Sequence, residues 1–364
     1  MAPDRRDARR AALLASMEEC AIDGLIITHL PNIRYLTGFS GTSGVMALLR
    51  QESVLCSDFR YRTQAHEEVG DVARIEIAPN DLWERLFTVL GEYAGIGAMG
   101  FESHVLTNEQ RLRMERQAPQ IRLAPVVGLV ERHREQKDPD EIAAVRAAAV
   151  LAGDALEAVL PTVSVGQRES DVAARLELEL RARGSEWHPF PTIVASGPRT
   201  ALPHARTSQR PISKGEWLLL DFGAQVGGYC ADVTRTVVVG ATADEQQRTI
   251  YDLVREAQLG AREHIRSGMT GREADALARE IIHARGFGDA FGHSLGHGLG
   301  LEVHEGPRLS RVNDKPLPLN AVVTIEPGIY LEGWGGVRIE DDVHLSTDGA
   351  VVLSDGRAEL KELT

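Results

Sequence analysis

The sequence predicts an α/β (α+β) protein of two domains, an α/β layer domain followed by a strand-rich domain flanked by helices. Three observations carry that reading. At 364 residues the chain exceeds the usual size of a single hydrophobic core. Helical and strand signals alternate through roughly the first 130 residues, the pattern of an α/β layer. A polar stretch, RHREQKDPDEI, then leads into longer helical segments interleaved with β-branched runs. The boundary is placed there, giving domains 1–134 and 135–364.

The elements follow in order. Residues 9–21 have helical spacing, 25–28 form a short apolar strand, and 44–49 and 53–56 read as further strands. Segments 82–93 and 108–117 read as helices with strands between them. Asp138 and Pro139 suit the start of the next helix, one as a cap and the other at a first-turn position where no amide is needed. Helices are expected at about 140–160, 168–184, 243–267 and 271–285. Segments 217–222 and 229–239 read as two strands joined through Gly227-Gly228. No internal repeat or low-complexity tract interrupts this order.

Composition narrows the function classes. Hydrophobic residues make up 43% of the chain and aromatics 5%, so aliphatic side chains must fill the cores. A net charge of −13 argues against nucleic acid or an anionic membrane surface as partner. Cys20, Cys56 and Cys230 form no metal or disulfide pattern, which fits a reducing compartment. No apolar run is long enough to span a bilayer, and the start is too weakly apolar for a signal peptide. A cytoplasmic enzyme is the expectation.

The chemistry is concentrated in five residues: Asp221 and Asp232 in LLLDFGAQVGGYCADVTRT, His297 in GHSLGHGLGLEVHEG, Glu326 in TIEPGIY and Glu340 in GVRIEDD. Taken singly, an acid in a strand is an ordinary solvated edge residue. Four together in apolar runs would each cost several kcal/mol unless something neutralised them. With a turn centred between Val226 and Gly227, Asp221 and Asp232 fall directly opposite one another, on one face. Glu326 and Glu340 repeat the device symmetrically about Gly333. Two facing pairs of carboxylates repel unless cations intervene, and four negative charges match two divalent ions. Oxygen ligands with one imidazole suit Mn²⁺, Co²⁺ or Zn²⁺. Gly292, Gly296, Gly298 and Gly300 disfavour a helix, so a loop is expected to carry His293 and His297.

These motifs resemble the pita-bread metallopeptidases over nearly the whole chain, in ligand order, spacing and flanking residues. The resemblance implies a creatinase-like N-terminal domain and a C-terminal pita-bread domain with a curved antiparallel sheet flanked by helices. It implies five metal ligands, Asp221, Asp232, His297, Glu326 and Glu340, with Asp232 and Glu340 bridging two ions, and Mn²⁺ is the ion expected in function, with Zn²⁺ and Co²⁺ as alternatives. The sizeable N-terminal domain and LPNIRYLTGFSGTSG resemble the proline-directed branch, aminopeptidase P and prolidase. The resemblance implies roles for His204, His293, His304 and Arg338 around the scissile bond and proline ring. DFRY, at Asp58, Arg60 and Tyr61, resembles a pattern of small bacterial aminopeptidases P. Tyr229 joins these as a substrate-binding candidate.

The expected reaction is release of the N-terminal residue from Xaa-Pro peptides by attack of a metal-bridging hydroxide, with Glu326 carrying the proton and His304 stabilising the tetrahedral intermediate. Aminopeptidase P is preferred to an Xaa-Pro dipeptidase; a non-catalytic peptide-binding protein is the alternative from another class. A homodimer is expected. Arg338, two residues before Glu340 on a strand, is expected to hold Glu340 or substrate.

Overall fold

The computed structural model describes residues 5–354 and 356–364. The chain divides into two compact units that meet at Arg134 and Glu135.

The first unit is a mixed sheet of six strands with helices between them. In chain order these are α1 (Arg5–Glu19), β1 (Gly24–Ile27), α2 (Leu30–Thr37), β2 (Val45–Leu49), β3 (Ser53–Asp58), α3 (Arg62–Val69), β4 (Arg74–Ala78), α4 (Leu82–Leu90), β5 (Ala98–Glu102), α5 (Asn108–Gln117), β6 (Arg122–Val126) and α6 (Leu129–Arg134). The strand order is β4-β3-β2-β1-β5-β6, antiparallel within β1–β3 and parallel towards both edges. Strands β1, β2 and β5 are buried along their whole length, which is why they read as unbroken apolar runs. Helix α4 ends at Leu90, three residues earlier than its apolar pattern suggests, because Gly91 caps it and Tyr93 turns away to donate to Glu52.

The second unit opens with α7 (Pro139–Val159), and Asp138 caps it in a reciprocal box with Glu141. Val145, Ala148, Ala149, Ala152, Ala155, Leu156 and Val159 are its buried apolar residues, a helical stripe whose small side chains allow close approach to the sheet. After α8 (Glu169–Ala182) come β7 (Ile193–Ser196), β8 (Trp217–Phe222), β9 (Gln225–Val226), β10 (Tyr229–Cys230) and β11 (Val233–Val239). Helices α9 (Glu245–His264) and α10 (Gly271–Ala284) follow, each opened by a capping box at Asp244 and Thr270. The chain closes with β12 (Gly296–Gly298), β13 (Glu305–Leu309), β14 (Val322–Ile325), β15 (Gly328–Leu331), β16 (Gly335–Arg338), β17 (Asp341–Ser346), β18 (Gly349–Val352) and β19 (Glu362–Leu363).

These strands form a four-stranded sheet, β19-β11-β8-β7, and a five-stranded sheet, β13-β12-β14-β17-β18, with two short ribbons, β9/β10 and β15/β16. Pairing is antiparallel except between β11 and β19. One apolar cluster joins α7 and α8 to β7, β8 and β11, and a second joins α9 and α10 to β14 and β17. Among the described residues no helix is long and apolar enough to cross a membrane.

The strand pairing corrects one detail of the sequence reading. Val226 pairs with Tyr229, and in the same register Asp221 faces Thr234, not Asp232. The turn is centred between Gly227 and Gly228, at φ 59° and 83°. A two-residue hairpin turn of this kind needs positive φ at both central positions, which two glycines supply and Val226 would resist. The slip moves each partner by two residues, so Asp232 keeps the parity of Thr234 and stays on the face of Asp221. The second acidic hairpin is centred on Gly333 as its symmetry predicts: Gly328 pairs with Arg338, and Ile325 with Asp341 in the same register.

Candidate metal centre

Between those two hairpins lies a cavity of about 1060 Å³ whose lining includes Asp221, Asp232, His293, His297, His304, Glu326, Arg338 and Glu340. Asp221 stands near the end of β8, Asp232 between β10 and β11, His297 in the middle of β12, and Glu326 and Glu340 just outside the β15/β16 ribbon. His297 therefore sits on a short strand, not in a loop, because Gly296 and Gly298 let β12 press against its neighbours. A Cβ at Gly298 would stand 1.9 Å from the carbonyl oxygen of Gly306. His293 lies in the loop before that strand.

Three of the four acids are buried, Asp221 at 9% exposed, Asp232 at 5% and Glu340 at 2%, and Glu326 is half-buried. Asp232, His297 and Glu340 each present a ligand atom within 4.8 Å of the others. His297 Nε2 is 3.7 Å from Asp232 Oδ2 and 3.5 Å from Glu326 Oε1. Its other ring nitrogen, Nδ1, lies 3.1 Å from the Gly298 carbonyl oxygen and can only donate there. That bond leaves the Nε2 lone pair aimed at the carboxylates, which is the tautomer a metal ligand needs.

Charge crowding shows in the protonation equilibria. Burial, reinforced by Glu340, Asp221 and Glu326, pushes the Asp232 carboxyl well above its ordinary range. Burial and the charges of Glu326 and Asp221 do the same to Glu340. Glu326 is pushed up to about 8, chiefly by burial, while Arg338 and a Thr324 hydroxyl bond pull the other way. His293 and His297 are pushed down to about 4, burial again being the main cause. Protonation relieves repulsion only by discarding the charge; a cation relieves it while keeping the acids ionised.

Two buried oxygens, Asp221 Oδ1 and Asp232 Oδ1, have no hydrogen-bond partner among the described residues. An unpartnered buried carboxylate oxygen is costly. Placed beside an imidazole lone pair and two further acids, these oxygens fit divalent cation ligands.

A frame of uncharged and cationic groups holds the acids. Arg338 donates from Nη2 to Asp221 Oδ2 (2.5 Å), from Nε to Thr234 Oγ1 (3.1 Å) and from Nη1 to the Tyr330 hydroxyl (2.8 Å). Arg338 is expected to hold Glu340 or substrate; it lines the cavity, but its bonds reach the other hairpin rather than Glu340, and Thr234 donates to Glu340 Oε2 at 2.5 Å. The Tyr330 hydroxyl also lies 2.9 Å from His293 Nε2. Neither Thr234 nor Tyr330 stood out in the sequence, although both flank ligand motifs, two residues after Asp232 and four after Glu326.

The remaining candidates divide. His204 and His304 are exposed towards the cavity, and the His304 ring is 4.4 Å from that of His297. Tyr229 is not among the cavity-lining residues; its hydroxyl donates to Glu141 Oε1 of α7 (2.9 Å), so the substrate-binding expectation is withdrawn for it. Asp58, Arg60 and Tyr61 belong to the first unit. There Asp58 caps the turn that follows β3, takes a two-pronged bond from Arg60 at 2.8 Å on each prong, and Tyr61 meets the Thr42 hydroxyl.

Comparison with known proteins agrees with this geometry. The model for metallopeptidase family M24 matches residues 143–347, and that for the Creatinase/Prolidase N-terminal domain matches 9–136. The chain is 35% identical to the Xaa-Pro dipeptidase of Pyrococcus furiosus over 97% of its own length and 99% of the relative's. A solved Xaa-Pro dipeptidase from Bacillus anthracis superposes with a TM-score of 0.94 at 38% identity, covering 98% of this chain and 100% of that one. An X-Pro aminopeptidase from Thermotoga maritima superposes at 0.89 with 34% identity, covering 94% and 98%. The chain belongs to metallopeptidase family M24, with the creatinase-like N-terminal domain and C-terminal pita-bread fold that the motifs implied.

Proposed function

We propose that this chain is an Xaa-Pro dipeptidase holding two divalent cations between Asp221, Asp232, His297, Glu326 and Glu340. The observation that carries the metal-dependent reading is the pair of buried carboxylate oxygens, Asp221 Oδ1 and Asp232 Oδ1, that find no hydrogen-bond partner among the described residues, on acids lining the same open cavity as His297. When bound, the cations supply a Lewis acid and an activated water. Glu326, whose carboxylate lines the cavity beside His297, is suited to take a proton from the nucleophile and return it to the departing proline nitrogen. His204 and His304 line the same cavity and can donate to the substrate carbonyl oxygen. A tertiary Xaa-Pro amide offers no N–H, so recognition falls to the shape of the ring and to the groups at either end.

The preference for dipeptides over longer peptides rests on two points. Arg206 and Arg308 also line the cavity, and a guanidinium pairs well with a free C-terminal carboxylate. The Pyrococcus and Bacillus relatives carry the dipeptidase name. The second reading, an Xaa-Pro aminopeptidase, is favoured by the Thermotoga neighbour and by the DFRY segment. The test compares Xaa-Pro dipeptides with Xaa-Pro-Yaa tripeptides, using chelator-stripped protein reloaded with Mn²⁺, Zn²⁺ or Co²⁺. Dipeptide cleavage at the higher kcat/KM supports the proposal. Preferential release of the first residue from tripeptides would replace it with the second reading, and no turnover with any ion would reject both. The same preparations run on a sizing column address the expected homodimer.

A further inference from the structure

Glu169, the first residue of α8, is fully buried and does not line the catalytic cavity. Its carboxylate nevertheless collects five hydrogen bonds from two separate stretches of chain. Oε1 accepts the Ser196 amide (2.8 Å) and the Ser196 hydroxyl (2.9 Å). Oε2 accepts the Ser208 amide (3.0 Å), the Ser208 hydroxyl (2.6 Å) and an Arg199 guanidinium N–H. Ser196 ends β7, and Ser208 lies twelve residues on. Between them run Pro203, His204, Ala205, Arg206 and Thr207, all of which line the cavity.

The segment has little regular structure of its own beyond a single 3₁₀ turn at Gly197–Ala201. Its other ties include Arg199 Nη2 to the Arg206 carbonyl (2.5 Å), Gly336 N–H to the Thr200 hydroxyl (2.7 Å), Arg338 Nη1 to the Pro203 carbonyl (3.3 Å), and the Thr207 hydroxyl, which accepts the Val194 amide (2.9 Å) and donates to the Thr192 carbonyl (2.8 Å). Closing such a segment at both ends on one anion removes most of its freedom. A charged acceptor with every lone pair engaged is also a strong, directional anchor.

We propose that Glu169 is a positioning residue for catalysis: it clamps both ends of segment 197–207 and so fixes where His204 and the Pro203 carbonyl stand in the cavity wall. This rests on the reading of His204 as a substrate-facing group. Glu169→Gln preserves shape but turns one acceptor oxygen into an amide donor, facing the N–H and O–H groups it should accept from. Ser208→Ala is the milder companion, removing one of the five bonds.

The experiment has two arms, run on the full-length metal-loaded protein. In hydrogen exchange, Glu169→Gln should lose protection in 197–207 by roughly tenfold or more, with the strands bearing the metal ligands and the bound-metal content unchanged. In kinetics on an Xaa-Pro dipeptide, kcat/KM should fall about ten- to a hundredfold. Adding His204→Ala to that variant should then change kcat/KM by less than about twofold, although the same change in the wild-type protein matters. Ser208→Ala should show both effects in weaker form. Unchanged exchange in 197–207, a full additive loss from the added His204→Ala, or an inert His204→Ala in the wild-type protein would each overturn the proposal. The exchange arm reads the clamp whichever peptide is cleaved, so failure of the dipeptidase reading shows up separately.

Discussion

Glu340 and Asp341 are neighbours in sequence and both are buried, yet they belong to two opposite kinds of polar cluster. Asp341 is saturated. Its Oδ1 accepts from Arg235 (2.8 Å) and Ser354 (2.6 Å), and its Oδ2 from Gln258 (2.6 Å) and Arg262 (2.9 Å). Glu340, one residue back, faces the cavity among Asp232, Asp221 and Glu326, where anions outnumber their protein partners. The first cluster is complete within the chain; the second is completed by something the chain does not supply. Arg235 joins them, since its Nη1 also holds the Glu340 carbonyl oxygen at 2.5 Å. Burial alone therefore does not separate structural acids from functional ones. What separates these two clusters is that the cavity acids Asp221 and Asp232 each keep a buried oxygen with no hydrogen-bond partner among the described residues, whereas both oxygens of Asp341 are engaged.

The comparison can be broken by substitution on either side. Asp232→Asn removes a proposed ligand and should lower kcat/KM for an Xaa-Pro dipeptide by at least about a thousandfold, the several kcal/mol a metal contributes to charge stabilisation. The metal-free protein should meanwhile be no less stable in thermal unfolding, because a repelled charge has gone. A large loss of metal-free stability would put Asp232 with Asp341. Asp341→Ala should do the reverse, destabilising the fold by about 3–5 kcal/mol, since it strands the buried Arg235 and the half-buried Arg262. Added Mn²⁺ should not restore that loss in denaturant titrations.

Acidity offers a third contrast. A carboxyl whose folded pKa is raised binds protons more tightly folded than unfolded, so its contribution to stability fades as pH rises from the unfolded value through the folded one. Glu326, at about 8, acts in this sense over roughly pH 4.5–8. His293 and His297, at about 4, act in the opposite sense, but only up to the unfolded histidine value near 6.5. Between about pH 6.5 and 8 the carboxylates act alone, so the metal-free protein should lose about 1–2 kcal/mol. Saturating Mn²⁺ should flatten that slope and bind more tightly as pH rises. A flat metal-free profile would mean the acids are not crowded in solution. The smallest expected effect is that of Arg308→Ala, a roughly tenfold rise in KM for the dipeptide, of the size of one charge-assisted bond. A tripeptide, with its carboxylate displaced, should feel it less, and equal effects on both would remove the argument for dipeptide preference.

Much of the site was legible because hairpins are local. The ligand pairs flank glycine turns, and once a turn is placed a period of two settles which side chains share a face. That argument survived an error in the turn position because the slip was by two residues. The same local reasoning put Arg338 at the site but missed the bond it makes. Its spacing from Glu340 is real, but its guanidinium reaches Asp221, 117 positions away. Tyr229 was misjudged: it sits three residues from the proposed ligand Asp232, and its hydroxyl turns to α7.

By itself, then, the amino-acid order established the acids and the imidazole, the glycines that let their strands turn and approach, and the face on which each pair lies. Those are properties of short stretches governed by backbone sterics. Only the folded chain decided which acids are left wanting partners. The donors that satisfy Asp341, the arginine that steadies Asp221 and the glutamate that clamps the His204 segment come mostly from elements far away in sequence. Their approach depends on how helices and sheets pack, and no spacing rule encodes it.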